Sequence, residues 1–354
     1  MLAAESKAVT PAATDSLNSE GLYSWKQIVE PVEPFLNAVH VRLTKQVDEF
    51  DSAIWPYAEY ALSSNGKHLR PALVALTANA LGDIRDEHVT AAVIIEMVHL
   101  ATLLHDDVMD EAQIRRGRPT LAANWGNEIA VLFGDCLFAQ ALKLAASFPT
   151  PVVCRSVAMA TNTVCSGEIL QTQHRRDFDF SQEQYFRVLE MKTAELFALS
   201  CELAAYLSGS PAAHQTAFRQ FGLAFGTAYQ VYDDCLDLAG SESVAGKSLG
   251  TDLAKGKLTL PVLLLWERAS SADRTRLVHI VQEWQGNSLR QVTGLIAKYD
   301  TLGPALRRVH QYLDRARQML AELPASRGRA CLAGLTEYLA RQTESLALAP
   351  ESGL

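Results

Sequence analysis

The stretch Asp106-Asp107-Val108-Met109-Asp110 contains three aspartates in the pattern Asp-Asp-x-x-Asp, and the pattern returns at Asp233-Asp234-Cys235-Leu236-Asp237. Each copy ends a strongly apolar segment with helical spacing. On a helix the first and third carboxylates lie one turn apart on one face, and the second is turned about 100° away. The three charges repel one another, and the helix dipole disfavours anions at a C-terminus. A cation is therefore expected at each cluster, with a solvated acidic face as the alternative.

Magnesium is the cation that these residue types favour. Hard divalent ions prefer oxygen ligands, and Mg²⁺ keeps several waters while taking one or two carboxylates together with phosphate oxygens of a substrate. Two acidic clusters that face each other across a cavity could therefore hold a small group of Mg²⁺ ions that clamp a diphosphate.

The composition is that of a globular protein. The chain has 354 residues, of which 48% are hydrophobic and 20% are charged, which excludes disordered and fibrous classes. Its length alone would allow two domains. The net charge of −8 argues against a nucleic-acid partner. The six cysteines form no Cys-x-x-Cys pair, which indicates buried thiols in a reducing compartment and predicts a cytoplasmic location.

No long apolar segment is free of polar groups. The best window, Val89 to Leu104, contains Glu96 and His99, so we expect no transmembrane span, although peripheral membrane contact for product release stays open. Residues 1–22 are rich in Ala, Ser and Thr but have neither an apolar signal core nor the arginines of a transit peptide. The sequence therefore predicts a flexible N-terminal tail over 1–22 and one domain over 23–348.

The apolar residues recur at helical spacing almost everywhere, and no alternating strand pattern stands out. The spacing predicts helices over 25–50, 54–64, 68–81, 86–110, 127–147, 151–173, 182–207, 212–238, 258–268, 272–285, 288–298, 304–322 and 328–345. The connections are short, and no linker divides the halves. We therefore predict a single all-α domain, a helical bundle around a central cavity.

The segment 239–257 is the exception to this helical pattern. It carries four glycines and three lysines, namely Gly240, Gly246, Gly250, Gly256, Lys247, Lys255 and Lys257. Flexible backbone and ammonium groups beside a metal site predict a lid that closes on phosphate, with a solvated surface loop as the alternative. A nucleotide-binding P-loop is rejected because the glycine spacing is one residue too long and no strand precedes it.

Basic residues accompany the acidic motifs. They occur in Gly66-Lys67-His68-Leu69-Arg70-Pro71, in Arg115-Arg116-Gly117-Arg118-Pro119, in Lys192-Thr193 and at Lys257, while His99 lies seven residues before Asp106. Any one of these groups could be ordinary solvated charge, and a lone histidine is more often a hydrogen-bonded core residue. Their number in an acidic chain nevertheless favours a second anion site that binds without metal.

Taken in order, these motifs resemble those of the trans-isoprenyl diphosphate synthases. The matching segments are Gly-Lys-His-Leu-Arg-Pro, Glu-Met-Val-His, Leu-Leu-His-Asp-Asp-Val-Met-Asp, Arg-Arg-Gly-Arg-Pro-Thr, Gly-Glu-Ile-Leu-Gln, Lys-Thr-Ala-Glu, Tyr-Gln-Val-Tyr-Asp-Asp-Cys-Leu-Asp and Gly-Thr-Asp-Leu-Ala-Lys-Gly-Lys. The resemblance spans residues 25–345 and is greatest to long-chain members. It implies an all-helical enzyme, usually a homodimer, that condenses an allylic diphosphate with isopentenyl diphosphate and releases diphosphate.

The resemblance also implies a role for each matching residue. Asp106, Asp107, Asp110, Asp233, Asp234 and Asp237 would hold Mg²⁺, or Mn²⁺ in its place, on the allylic diphosphate. Arg115, Lys192, Lys247 and Lys257 would contact that same diphosphate, while Lys67, Arg70, His99 and Arg116 would bind isopentenyl diphosphate. Thr193 and Gln230 would line the reacting centre. His68 departs from the family, since many members have arginine there, and this predicts weaker or more pH-dependent binding of isopentenyl diphosphate.

Three other functions are compatible with parts of this pattern. A terpene cyclase would not need the second anion site, and a silent regulatory subunit would be expected to lose part of one acidic motif. A short-chain synthase is disfavoured because Ala101 and Thr102, below Asp106, are too small to close the cavity near a farnesyl chain. We therefore expect a geranylgeranyl or longer product, made from a farnesyl or geranyl starter.

Overall fold

The chain forms a succession of helices in the part that the computed structural model describes, residues 24–63, 66, 68–241 and 248–348. They are α1 (Trp25–Val29), α2 (Glu33–Thr44), α3 (Trp55–Leu62), α4 (Leu69–Leu81), α5 (Asp86–Met109), α6 (Leu121–Trp125), α7 (Asn127–Ala146), α8 (Val152–Gln173), α9 (Gln182–Leu189), α10 (Glu195–Leu207), α11 (Ala212–Ala239), α12 (Thr251–Ala254), α13 (Leu260–Arg268), α14 (Ser271–Gln282), α15 (Ser288–Tyr299), α16 (Leu302–Ala321) and α17 (Arg327–Leu348). The all-α prediction is confirmed. The predicted tail, 1–22, lies outside the described residues.

Helix α10 lies at the centre of the bundle. It packs against α4, α5, α8 and α11, and its residues from Glu195 to Cys201 are all buried. A helix that is apolar around its whole circumference belongs in a protein core. Its first turn also forms one wall of the central cavity, through Leu196 and Phe197. The helices that carry the two acidic motifs, α5 and α11, both pack on α10, which fixes the position of one motif relative to the other.

Proline divides the N-terminal segment that we predicted as one helix over 25–50. Pro31 and Pro34 each stand at the first turn of a new element, a 3₁₀ turn over Glu30–Val32 and then α2. Proline has no N–H to donate and is therefore tolerated only where a helix begins. A further 3₁₀ turn covers Lys45–Glu49. The result is a short α1 that can turn toward the mouth of the cavity, where Trp25 lines its wall.

The segment predicted as one helix over 182–207 is continuous but irregular. It begins with the Ser181 capping box that opens α9. It then widens into a π-helical turn over Glu190–Ala194 before it continues as α10. A π turn inserts one extra residue, and such turns are frequent at functional sites. The turn contains Lys192, predicted to contact the allylic diphosphate, and Thr193, predicted to line the reacting centre.

A small hairpin interrupts the helices after the first acidic motif. Ile114–Arg115 pairs antiparallel with Arg118–Pro119, an element too short for an alternating pattern to reveal. The two residues at its turn, Arg116 (φ 52°) and Gly117 (φ 75°), both have positive φ. A two-residue turn of this kind matches the twist of paired strands and favours glycine at its second position. The hairpin positions Arg115 and Arg116 beside the cavity that both line.

By length and apolar content alone, two described helices could cross a membrane: α5 and α7. The apolar window of α5 is 72% buried inside the bundle, as expected for a core helix, whereas that of α7 is 39% buried. The sequence predicted no transmembrane span because Glu96 and His99 lie within the apolar part of α5. The outer side of α7 exposes Val131, Leu132 and Leu142.

Candidate active site

One large cavity, with a volume of about 1180 Å³, lies between α4, α5, α8, α10, α11 and α17. Nine of the residues predicted for the site line it: Arg70, His99, Asp106, Arg115, Arg116, Lys192, Thr193, Gln230 and Asp233. Lys67 and Lys247, also predicted, lie outside the described residues. Five further predicted residues lie outside the cavity lining and contact other protein groups instead: Asp107, Asp110, Asp234, Asp237 and Lys257.

The first acidic motif meets its positive charges at the rim of α5. Lys192 Nζ lies 3.5 Å from Asp106 Oδ2, and Arg115 Nε donates to Asp107 Oδ1 at 2.7 Å. Burial raises the pKa of Asp106 to about 6, although Lys192 opposes this shift. Burial also raises the pKa of Asp107 against the influence of Arg115. Carboxylates removed from water in this way gain free energy when a further cation approaches.

Three cations surround the last carboxylate of the first motif. Asp110 accepts from Arg175 Nη2 at 2.8 Å and from Lys257 Nζ at 2.7 Å, and Lys255 Nζ lies at 3.3 Å. Burial would raise the pKa of Asp110, but Lys257 and Lys255 outweigh it and lower the pKa to about 2. Three positive groups on one carboxylate leave excess positive charge. The cluster is therefore suited to a second anion such as a diphosphate.

Arg175 belongs to this cluster but was not among the predicted site residues. It follows α8, and the turn it belongs to binds the lysine-rich end of the glycine loop, because Arg176 N donates to Gly256 O at 2.7 Å. The adjacent pair Arg175-Arg176 was visible in the sequence. Its distance along the chain from both acidic motifs gave no sign that it would lie beside Asp110.

The π turn and α8 together hold Lys192. Its ammonium group donates to Gln171 Oε1 at 2.8 Å and contacts the Glu168 carboxylate. Asp106 and Glu168 outweigh burial and raise the pKa of Lys192, so its charge is retained inside the cavity. The segment Gly167-Glu-Ile-Leu-Gln171 belonged to the resemblance, but no role had been assigned to Glu168 or Gln171. In the structure they fix the lysine opposite Asp106.

The second acidic motif distributes its carboxylates differently. Asp233 lines the cavity, whereas Asp234 is buried and accepts from Tyr185 Oη at 2.6 Å and from Gln230 Nε2 at 2.8 Å. Asp237 accepts from Thr251 Oγ1 at 2.9 Å and from the amide of Asp252 at 3.1 Å. These last bonds fasten the glycine loop, through α12, to the end of α11.

The donor set fits a magnesium site that is completed by a substrate. Among the described residues, no three His, Cys, Asp or Glu side chains already converge as a ligand cage. Mg²⁺ normally retains water and takes only one or two carboxylates in addition to phosphate oxygens. The desolvated carboxylate of Asp106, with cations beside it, and the carboxylate of Asp233 on another helix of the same cavity match that requirement.

A second, mainly basic region lies nearby in the same cavity. Arg70 extends its guanidinium over the Phe197 ring at 4.7 Å, and its Nε is buried without a hydrogen-bond partner. Burial lowers the pKa of His99 well below its ordinary value, and Arg70 and Arg116 lower it further. His99 is therefore a neutral hydrogen-bonding group between two arginines. His68, the departure from the family, lies with Nδ1 3.3 Å from Glu96 Oε2.

The apolar part of the cavity differs from our expectation. Thr102 and Val164 line it, but Ala101 is completely buried in the core and lies outside the lining. Five apolar residues of α5, α7 and α8 are core residues outside the lining as well: Ile95, Val98, Phe133, Leu137 and Val157. The expectation that Ala101 borders the cavity below Asp106 is therefore wrong, because that side of α5 faces the bundle.

An all-α bundle with paired acidic motifs and separate cationic groups around one deep cavity defines the isoprenoid synthase class. The chain belongs to the polyprenyl synthetase family, whose model matches residues 52–297. It is 33% identical over 312 residues to the all-trans-nonaprenyl-diphosphate synthase (geranyl-diphosphate specific) of Rhodobacter capsulatus, an alignment that covers 88% of this chain and 96% of that protein. The chain is therefore a prenyltransferase, as the sequence resemblance predicted.

Solved structures agree with this assignment. The polyprenyl synthase of Caulobacter crescentus CB15, complexed with calcium and isoprenyl diphosphate, matches with a TM-score of 0.84 and 33% identity, covering 91% of this chain and 99% of that one. The geranylgeranyl pyrophosphate synthase of Lactobacillus brevis ATCC 367 matches with a TM-score of 0.81 and 32% identity, covering 90% and 98%. Relatives with different product names thus share this fold at similar identity.

The contact between α8 and the π turn gives a first test. A Cβ at Gly167 would lie 2.7 Å from Lys192 N and 2.9 Å from Met191 Cβ, so Gly167→Ala must displace the turn. We expect turnover to fall about tenfold or more, because small displacements of a positioned group are costly in catalysis. Gly294→Ala, where a Cβ would meet nothing within 4 Å, is the matched control. Equal activities of the two variants in steady-state assays would contradict this role of the contact.

Proposed function

We propose that this chain catalyses the Mg²⁺-dependent head-to-tail condensation of isopentenyl diphosphate with an allylic diphosphate, giving an all-trans polyprenyl diphosphate. The observation that carries the proposal is the presence of two anion-binding regions in one cavity. One combines Asp106 and Asp233 with nearby cations, and the other is basic and free of acidic motif residues, with Arg70 and Arg116. A terpene cyclase needs only the first, so the second favours the condensing enzyme.

The metal region binds the allylic partner. Asp106 and Asp233 present carboxylates to the cavity, and the other four aspartates of the motifs, Asp107, Asp110, Asp234 and Asp237, belong to the same two helix ends. When bound, Mg²⁺ would neutralise the diphosphate and stabilise its departure. Arg115, Lys192 and Lys257 already lie at these carboxylates and provide direct cations for the same leaving group.

The basic region binds isopentenyl diphosphate. Arg70 and Arg116 supply charge, and neutral His99 donates one hydrogen bond between them; Lys67 is assigned to this group by the resemblance alone. The allylic C–O bond ionises because the carbocation is resonance-stabilised and the cations neutralise the departing diphosphate. The isopentenyl double bond then attacks the allylic carbon, and the resulting cation loses a proton to the departing diphosphate.

Exclusion of water protects the cationic intermediate. Much of the cavity wall is apolar, with Phe197, Phe225 and Leu196 on α10 and α11. The C-terminal part of the glycine loop is fastened beside both acidic motifs, by Thr251 to Asp237 and by Lys257 to Asp110. We propose that the loop closes over the diphosphate from this anchor and removes water from the reacting carbons.

We propose a homodimer formed through the outer faces of α7 and α8. These helices expose Leu132 and Leu142, and Met159 and Ile169, respectively. Val131 and Ile169 also line the cavity, so a second copy on this face would close its side. The six cysteines are free thiols, which supports the proposed cytoplasmic location, with product release at a membrane surface.

One experiment tests both the condensation reaction and its dependence on Mg²⁺. The purified chain alone, with isopentenyl and farnesyl diphosphates, should form product with Mg²⁺ or Mn²⁺ and none after chelation. Asp106→Asn and Asp233→Asn should each lower turnover by about a hundredfold or more, because each removes a charge that holds the ions on the leaving group. Asp314→Asn, in an exposed ion pair with Arg317, is the control. Metal-independent product, or a cyclised hydrocarbon, would refute the proposal.

The neighbouring arginines of the hairpin separate the two anion regions. Arg116→Ala should raise the KM for isopentenyl diphosphate about tenfold or more and change the allylic KM less, since a charged contact to a phosphate is lost. Arg115→Ala, one residue away and bonded to Asp107, should do the reverse. Initial rates with each substrate varied in turn provide the measurement. If both variants affect the same KM, the two regions have been assigned wrongly.

We propose a product of geranylgeranyl length or longer, from a geranyl or farnesyl starter, because the small residue Thr102 lines the wall below Asp106. Thr102→Phe should shift the product to shorter chains, since a ring fills about the volume of one isoprene unit in a close-packed tunnel. Ala101→Phe should instead lower thermal stability, because Ala101 is fully buried in the core. Chromatography of dephosphorylated products and thermal melts distinguish the two. An unchanged product from Thr102→Phe would show that the tail follows another path.

A further inference from the structure

Asp234, the second carboxylate of the second motif, is directed away from the cavity. It is 4% exposed, and Asp233, not Asp234, is among the described residues that line the cavity wall. Both of its oxygens are bonded. Tyr185 Oη donates to Oδ2 at 2.6 Å, and Gln230 Nε2 donates to Oδ1 at 2.8 Å. Tyr185 itself is 3% exposed, so this pair is sealed inside the bundle between α9 and α11.

The carboxylate determines which way the Gln230 amide points. Gln230 Nε2 donates to Asp234 Oδ1 while Tyr185 Oη occupies the other oxygen, so the amide presents its NH₂ group to Asp234. The other amide atom, Oε1, then faces Thr193, whose hydroxyl donates to it at 3.1 Å. Oε1 has a second lone pair, and Gln230 and Thr193 both line the cavity. The amide therefore presents its negative end to the reacting centre.

The polarity of this amide matters for a reaction that passes through a carbocation. A carbonyl oxygen stabilises positive charge that develops nearby, whereas an NH₂ group turned toward the same point would destabilise it. Glutamine can adopt both orientations by rotation of its side-chain amide. Fixed dipoles contribute most when the protein holds them in place before the reaction. Asp234 provides that constraint, and Tyr185 holds Asp234.

We propose that Tyr185 and Asp234 are positioning residues that fix the Gln230 amide with Oε1 toward the allylic carbon. Asp234 acts through Gln230 and not as a direct ligand of the metal. This inference rests on the proposed function, since it requires a cationic intermediate in the cavity. It assigns a role to Tyr185, which lies outside both acidic motifs and 45 residues before Gln230 in the chain.

Tyr185→Phe provides the most direct test because it removes one hydroxyl and changes no charge. With saturating Mg²⁺, we expect its kcat to fall about tenfold or more, the effect of losing a charge-assisted hydrogen bond that orients a reacting group. The KM values for both substrates and the half-saturating Mg²⁺ concentration should stay within about twofold of wild type, because no group that binds phosphate or metal has changed. Tyr206→Phe, whose hydroxyl bonds Thr150 on another side of the bundle, should behave as wild type.

A double-mutant cycle separates positioning from general loosening of the structure. If Tyr185 acts through Gln230, Tyr185→Phe should cause no further loss of kcat in the Gln230→Ala background. Losses that multiply, or a raised Mg²⁺ requirement in Tyr185→Phe, would overturn the inference and identify a structural or metal-binding role. So would a wild-type kcat for Tyr185→Phe. Thermal melts of every variant exclude misfolding as the cause, and condensation by the wild-type chain in the same assay tests the proposed function separately.

Discussion

Mutual repulsion among six aspartates at two helix ends is the constraint on which the site depends. Cations offset the charge of the first motif: Arg115, Arg175, Lys192 and Lys257. In the second motif, Asp234 and Asp237 accept instead from the uncharged side chains of Tyr185, Gln230 and Thr251. Compensation is uneven. Asp110 has three cations, whereas burial leaves the pKa of Asp106 raised to about 6. Negative charge at Asp106 and excess positive charge around Asp110 therefore favour the joint binding of a metal ion and a diphosphate.

The packing of the bundle fixes the positions of these charged groups. Helix α10 fixes α5 and α11 around the cavity, and the π turn before it directs Lys192 and Thr193 inward. Gly167 allows α8 to approach the backbone of that turn within a distance that no side chain would permit. Rigid helices thereby hold the reacting groups in place. Catalysis by preorganised charge requires groups that are positioned before the reaction begins.

The charged half and the apolar half of the cavity recognise different parts of a substrate through different interactions. The charged half selects diphosphates through complementary charge, and its chemistry is the same for any allylic chain. In the function proposed above, the apolar half, which Thr102 and Val164 line, selects chain length through volume. Relatives with several product names share this fold. Function class and product length are therefore separate properties of one cavity.

The sequence by itself determined the helical class, most of the helices and the two acidic motifs, because helical periodicity and local charge spacing are properties of neighbouring residues. It also indicated Arg70, His99, Arg115, Arg116 and Lys192. Only the tertiary structure decided that Arg175, Tyr185 and Glu168 join the site, that Asp234 faces Gln230, and that Ala101 faces the core instead of the tunnel. These are contacts between segments far apart in the chain or choices between two sides of one helix, and packing alone sets them.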